Sequence, residues 1–127
     1  MLKITTSQRD LYGNKLPNNE FVKEYTITQG DTFTLHITDE NNVVTGARFI
    51  LGTDAYTEIY SRAFSYDSEN QRWTCIVPTV DTNSWAISLT EDDSNPYIYE
   101  IEATLNDGNK ISITKYYFNV TNQVGDN

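Results

Sequence analysis

From Tyr25 onward, apolar and polar residues exchange places at every second position in short runs. Thr32 to Thr38 sets Phe33, Leu35 and Ile37 against Thr34, His36 and Thr38, the period of a half-buried strand. The longest run sets Tyr97, Tyr99, Ile101, Ala103 and Leu105 against Ile98, Glu100, Glu102 and Thr104. Asn106-Asp107-Gly108-Asn109 then reverses the chain, and Asp-Gly suits a tight hairpin whose central residues both take positive φ. On the return, Lys110 to Val120, the apolar parity shifts from Ile111 and Ile113 to Tyr116, Phe118 and Val120. That shift predicts a β-bulge near Thr114-Lys115.

Between these runs lie shorter ones. Tyr25 to Thr28 leads into the turn Gln29-Gly30-Asp31, and Asp39-Glu40-Asn41-Asn42 closes the strand before it. Ala47 to Leu51 is a short apolar strand. Thr57 to Tyr66 reads as one further strand with Ile59 and Phe64 in the core. A polar connection, Asp67 to Asn70, joins it to a partner at Arg72 to Val77. Pro78 ends that partner, and Trp85 to Leu89 is ambiguous between strand and helical turn. About seven strands at roughly 10-residue spacing, with no long helix, predict an all-β antiparallel sandwich. Its expected core holds Phe33, Leu35, Ile37, Trp73, Val77, Ile101 and Phe118.

Residues 1–24 differ. Leu2-Lys3-Ile4 is amphipathic, with a short strand expected at 2–6, and a polar, turn-rich stretch through Pro17-Asn18-Asn19 follows. This segment reads as an N-terminal arm or edge piece, residues 25–121 as the sandwich, and residues 122–127 as a polar tail. The arm holds Leu2, Ile4, Leu11, Tyr12 and Leu16 in a setting too polar for a core of its own. These are the candidate assembly contacts, and strand addition onto a neighbour is the expected mode.

Charge narrows the partners. A formal charge of −9, from 18 acidic against nine basic residues, repels phosphate, and the basic residues form no patch. No nucleic-acid partner is expected. Nor is a membrane one, because no apolar run approaches the ~20 residues that span a bilayer. The start of the chain carries no charged region followed by an apolar stretch, so no secretory leader is expected.

Reactive side chains are few. Cys75 is the only cysteine and alternates with Trp73 and Val77, the pattern of a small core residue whose thiol is inert. His36, the only histidine, lies on the polar side of its strand and reads as solvent-facing, with no oriented partner or nucleophile in view. Glu100 and Glu102 share a strand face near the ~5–9 Å spacing of glycosidase carboxylates, but adjacent acids on a strand are also how a solvated face looks. Asp67 to Asn70 and Asp92 to Asn95 offer oxygen donors without calcium-loop spacing. No catalytic residue, metal or cofactor is expected. Sugar stacking is the other candidate chemistry, with Trp73, Trp85, Tyr56, Tyr60, Tyr97, Tyr99 and Tyr116 or Tyr117 as the flat faces; core filling competes for the same rings.

Four stretches in order carry a resemblance. They are Thr28-Gln29-Gly30-Asp31-Thr32-Phe33-Thr34-Leu35, then Val44-Thr45-Gly46-Ala47-Arg48-Phe49, then Tyr97 to Gly108, and last Phe118-Asn119-Val120. Residues 25–121 resemble the immunoglobulin-like domains of tailed-phage structural proteins, and are most similar to the N-terminal domain of upper baseplate proteins. The resemblance implies an immunoglobulin-like antiparallel β-sandwich. It implies a virion component made in the bacterial host cytoplasm, assembled as a trimer or higher ring with other virion proteins, with no cofactor and no active site. In baseplate proteins a helical linker and distal part follow this domain. Here the chain ends at Asn127, as a stand-alone virion protein or a fragment would. The expected role is an adaptor, anchoring or decoration module, with a carbohydrate-binding or host-adhesion module as the alternative.

Overall fold

A computed structural model describes residues 2–6, 24–39, 42–54 and 56–122. The strands are β1 (Leu2–Thr6), β2 (Glu24–Thr28), β3 (Phe33–Asp39), β4 (Val44–Gly52), β5 (Glu58–Ala63), β6 (Ser65–Asp67), β7 (Arg72–Val77), β8 (Tyr97–Leu105) and β9 (Lys110–Thr121). A single helical turn, α1 (Thr79–Thr82), follows Pro78. Proline suits that position because its fixed φ and missing N–H cost nothing where a helix begins.

Two sheets result. One runs β1-β3-β7-β6 and the other β2-β9-β8-β4-β5. All neighbours are antiparallel except β2 and β9, which are parallel and set Tyr25 beside Phe118. With β1, β3, β7 and β6 as strands A, B, E and D, and β4, β5, β8 and β9 as C, C′, F and G, this is the strand order of immunoglobulin domains. The β2 strand is the second half of A, transferred to the other sheet. The fold is an immunoglobulin-like β-sandwich.

The alternation read from the sequence becomes the core. Phe33, Leu35 and Ile37 of β3, Phe49 and Leu51 of β4, Cys75 and Val77 of β7, Tyr99 and Ile101 of β8, and Phe118 and Val120 of β9 are all buried. Phe118 lies at the centre. Its ring stacks on Tyr25 at 5.4 Å and meets Phe33, Phe49, Trp85 and Tyr99 at 5.8–5.9 Å between centroids. Rings from both sheets therefore close on one side chain, and such contacts add to the gain from area burial alone.

Several expectations are corrected. Thr57 to Tyr66 is not one strand. The chain leaves the five-stranded sheet after Ala63, buries Phe64 in the core, and joins the other sheet as β6, so β5 pairs with β4 and only β6 with β7. Ile59, expected in the core, is 45% exposed, because its neighbour Tyr60 takes the inward position. With residues 2–6 also a strand, nine strands stand where about seven were expected.

Trp73 is only partly buried and meets Tyr66 at 5.3 Å, while Trp85 is the buried tryptophan. The bulge on β9 falls at Ile113, since Ile101 faces Thr114 while Glu102 faces Ser112. In the hairpin only Gly108 takes positive φ, at 86°. The amide of Leu105 donates to the carbonyl of Asn109, and that of Gly108 to the carbonyl of Leu105, so the loop needs one left-handed residue rather than two.

Candidate interaction face

The residues outside the core of the five-stranded sheet form a cross-strand map. Register sets Tyr117 of β9 beside Ile98 of β8, and Ile98 beside Gly52 of β4. The next row is Lys115, Glu100, Ile50 and Ser61, and the next Ser112, Glu102, Arg48 and Ala63. A mostly apolar row, ending at Glu58 on β5, thus borders a charged one, with a second charged row beyond.

Ion pairs order the charged rows. The Arg48 guanidinium lies 3.2 Å from Glu102 and 3.7 Å from Glu58, and the Ser112 hydroxyl donates to Glu100. Arg48 and Glu58 are nearly half-exposed and Glu102 is 22% exposed, so solvent screens each pair, which contributes little to stability. What they fix is the pattern of charge. At the end of the face the β4–β5 loop rises, held by the Asp54 carboxylate. It accepts from the amide of Tyr56 at 2.8 Å and from the Thr57 hydroxyl at 3.3 Å, and the amide bond holds the Asp54 carboxyl below its usual range.

The loop folds back closely over Gly52. A Cβ there would meet the backbone oxygens of Thr57 and Asp54 at 2.7 and 2.8 Å, so only glycine fits. Tyr56 stands out at the tip, 97% exposed. Between loop and sheet is a shallow cavity of about 200 Å³, lined among others by Arg48, Ile50, Tyr56, Ile98 and Glu100.

The sequence-derived candidates distribute differently. Leu2 and Ile4 belong to β1, in register with Asp39 and Ile37 at the edge of the four-stranded sheet. Leu11, Tyr12 and Leu16 lie outside the described residues. Glu100 and Glu102, the carboxylate pair, sit in the interaction face with Ser112 and Arg48 as partners. The sugar-stacking rings are dispersed. Trp85 and Tyr99 are buried, Trp73, Tyr60, Tyr97 and Tyr116 pack against the core, and among the described residues the tyrosines widely open to solvent are Tyr56, Tyr66 and Tyr117, on separate strands and loops.

Tyr97 has a framework role. It opens β8 and its hydroxyl donates to the carbonyl of Ala86 at 2.8 Å, and burial raises its pKa. A tyrosine at the start of strand F bonding back to the preceding connection is the tyrosine corner of immunoglobulin-like sandwiches. The bond ties down Trp85 to Leu89, which is neither strand nor helix. Ser88 and Leu89 donate their amides to the carbonyl of Val120, and the Val120 amide donates to the Ser88 hydroxyl.

The reactive side chains are likewise absorbed by packing. Burial pushes the Cys75 thiol up to about 11, and its Sγ lies 3.9 Å from the Arg62 carbonyl. His36 is half-buried rather than open to solvent. Its Nδ1 is 3.0 Å from the Thr74 hydroxyl, and burial, aided by Arg72, lowers its pKa. Tyr60 donates to Asp81 at 2.7 Å, which Arg62 also approaches, and burial with that bond raises the phenol to about 12. Asp67 spends its carboxylate on the turn, accepting from the amides of Glu69 and Asn70. Among the described residues no three His, Cys, Asp or Glu side chains converge as a metal site.

No family model and no curated protein matches the chain. A solved structure of the fibronectin(III)-like modules of Clostridium thermocellum CbhA superposes with a TM-score of 0.49 at 16% identity, covering 95% of this chain and 98% of that one. The immunoglobulin-like fold rests on strand order and core; nothing in these comparisons links the chain to tailed-phage proteins.

Proposed function

We propose that this domain is a non-catalytic binding module whose working surface is the outer face of its five-stranded sheet. One observation carries the reading: Ile98, Ile50, Tyr117 and Tyr56 lie beside ordered charges there, while His36 and Cys75 are committed to hydrogen bonding and packing. Protein is favoured over carbohydrate as the partner. A sugar platform needs flat rings aligned in one groove, whereas Trp85 is buried, Trp73 is partly buried in edge contact with Tyr66, and Tyr56 and Tyr117 stand elsewhere.

The finer reading is an adaptor, anchoring or decoration protein of a phage particle, assembled as a homo-oligomer with other virion proteins. The ordered motifs of residues 25–121 support it. So does a framework with two kinds of binding surface, an exposed sheet face and an edge strand, β1, suited to lacing. The test is incorporation. The tagged chain is produced during lytic growth of a phage or prophage encoding it, and particles are purified by density. Presence at fixed stoichiometry in the particles supports the adaptor. Absence, together with binding on a glycan array, replaces it with the host-adhesion reading.

A further inference from the structure

The cavity at the β4–β5 loop has a size and a charge that specify what fits it. At about 200 Å³ it is smaller than the roughly 300–1,000 Å³ of small-molecule sites. It suits one inserted side chain. Ile50 and Ile98 supply an apolar spot in a lining that is otherwise mostly polar. Tyr56 stands at the rim.

Around that apolar spot the charge does not balance. Arg48 and Lys115 face Asp54, Glu58, Glu100 and Glu102, two cations against four carboxylates among the lining residues. Arg48 is held between Glu58 and Glu102, which leaves Lys115, the cross-strand neighbour of Glu100, as the one other cation of the lining. The surrounding field has the same sign, since the whole chain carries −9. An acidic or uncharged partner gains nothing from this rim, whereas a basic one is drawn in and oriented by it.

Resting on the binding-module reading, we infer that this cavity receives one apolar side chain from a basic protein segment, with Lys or Arg on either side of the anchor pairing with Glu100 and the Asp54–Glu58 rim. The anchor supplies the desolvated contact and the flanking cations set orientation, the usual division between a buried centre and a polar rim. Two copies of this chain are a poor match, because like-charged rims would face one another.

The experiment uses the full chain, isotope-labelled, titrated with two synthetic peptides, acetyl-Lys-Thr-Leu-Thr-Lys-amide and acetyl-Glu-Thr-Leu-Thr-Glu-amide. Amide shifts are followed at Ile50, Ile98, Glu100 and Tyr117. The basic peptide is expected to move these signals, with affinity falling severalfold from low to physiological salt, as screening of exposed charge requires. The acidic peptide leaves them in place. Glu100→Gln weakens the basic peptide severalfold and Ile98→Lys abolishes its binding, whereas Ile76→Lys on the other sheet does neither. Unchanged spectra away from the site show that each variant is folded. Equal binding of both peptides, shifts confined to other surfaces, or no shift at millimolar peptide overturns the inference. Incorporation into particles with no effect of Glu100→Gln or Ile98→Lys sinks this site while leaving the binding-module reading standing.

Discussion

The two sheets of this sandwich have the same alternation and opposite outer faces. On the four-stranded sheet, β3 and β7 present Thr34, His36, Thr38, Thr74 and Ile76, mostly small and uncharged, with Arg72 and Asp67 4.0 Å apart at its end. On the five-stranded sheet, β4, β8 and β9 present Arg48, Glu100, Glu102 and Lys115 beside Ile50, Ile98 and Tyr117. Threonine on a strand satisfies the pleat and stops there. Charges held in fixed geometry beside half-buried isoleucines contribute little to stability. The contrast teaches that a polar strand face is not one kind of thing: one is nearly uncharged and the other carries ordered charge.

The largest expected effect lies beneath both faces. Phe118→Ala removes the ring on which the aromatic core closes, and a denaturant melt should show a loss of about 3–5 kcal/mol. A loss under about 1 kcal/mol would mean that the sheets are held by their edges and not by this core.

Gly52→Ala acts on the five-stranded face alone. Its Cβ would be forced against two backbone oxygens that cannot rotate away, and overpacking of this kind costs about 1–3 kcal/mol. The melt should shift accordingly, and amide signals of Asp54 to Glu58 should move while those of β3 and β7 do not. Movement in both sheets would dissolve the distinction between the faces.

The smallest effect belongs to the four-stranded face and depends on pH. Folding lowers the His36 pKa from its usual 6.5, so the unfolded chain binds the proton more readily. The contribution of His36 is therefore complete above the unfolded value and is lost as pH falls through the folded one. Relative to His36→Gln, the native protein should lose melting temperature as pH drops below about 6.5 and then level off. A constant difference across that range would show that His36 titrates alike in both states.

Much of the framework was legible in the chain. Strand alternation placed Phe33, Leu35, Ile37, Ile101 and Phe118 inside, and Gly30 and Gly108 were read as turn glycines before their φ of 90° and 86° were known. Ile59 carried no alternation to place it, and it lies outside because its neighbour Tyr60 takes the inward position. The interaction face was half legible. Alternation already set Ile98, Glu100 and Glu102 on one side of a strand, but Arg48 and Lys115 come from segments more than ten residues away, and only register brings them together.

The sequence by itself determined most of the strands and reversals and the inward face of β3, β8 and the end of β9, because side-chain alternation is a steric property of each extended segment and needs no partner. Tertiary structure alone decided which sheet each strand joins. It sent the chain across at Phe64, buried Trp85 in place of Trp73, and locked the irregular stretch after Trp85 by Ser88, Val120 and the Tyr97 hydroxyl. It also seated Arg48 between Glu58 and Glu102. Those choices depend on which distant groups meet, and the free energy that settles them, burial and hydrogen bonding across the gap between sheets, exists only once the chain has closed on itself.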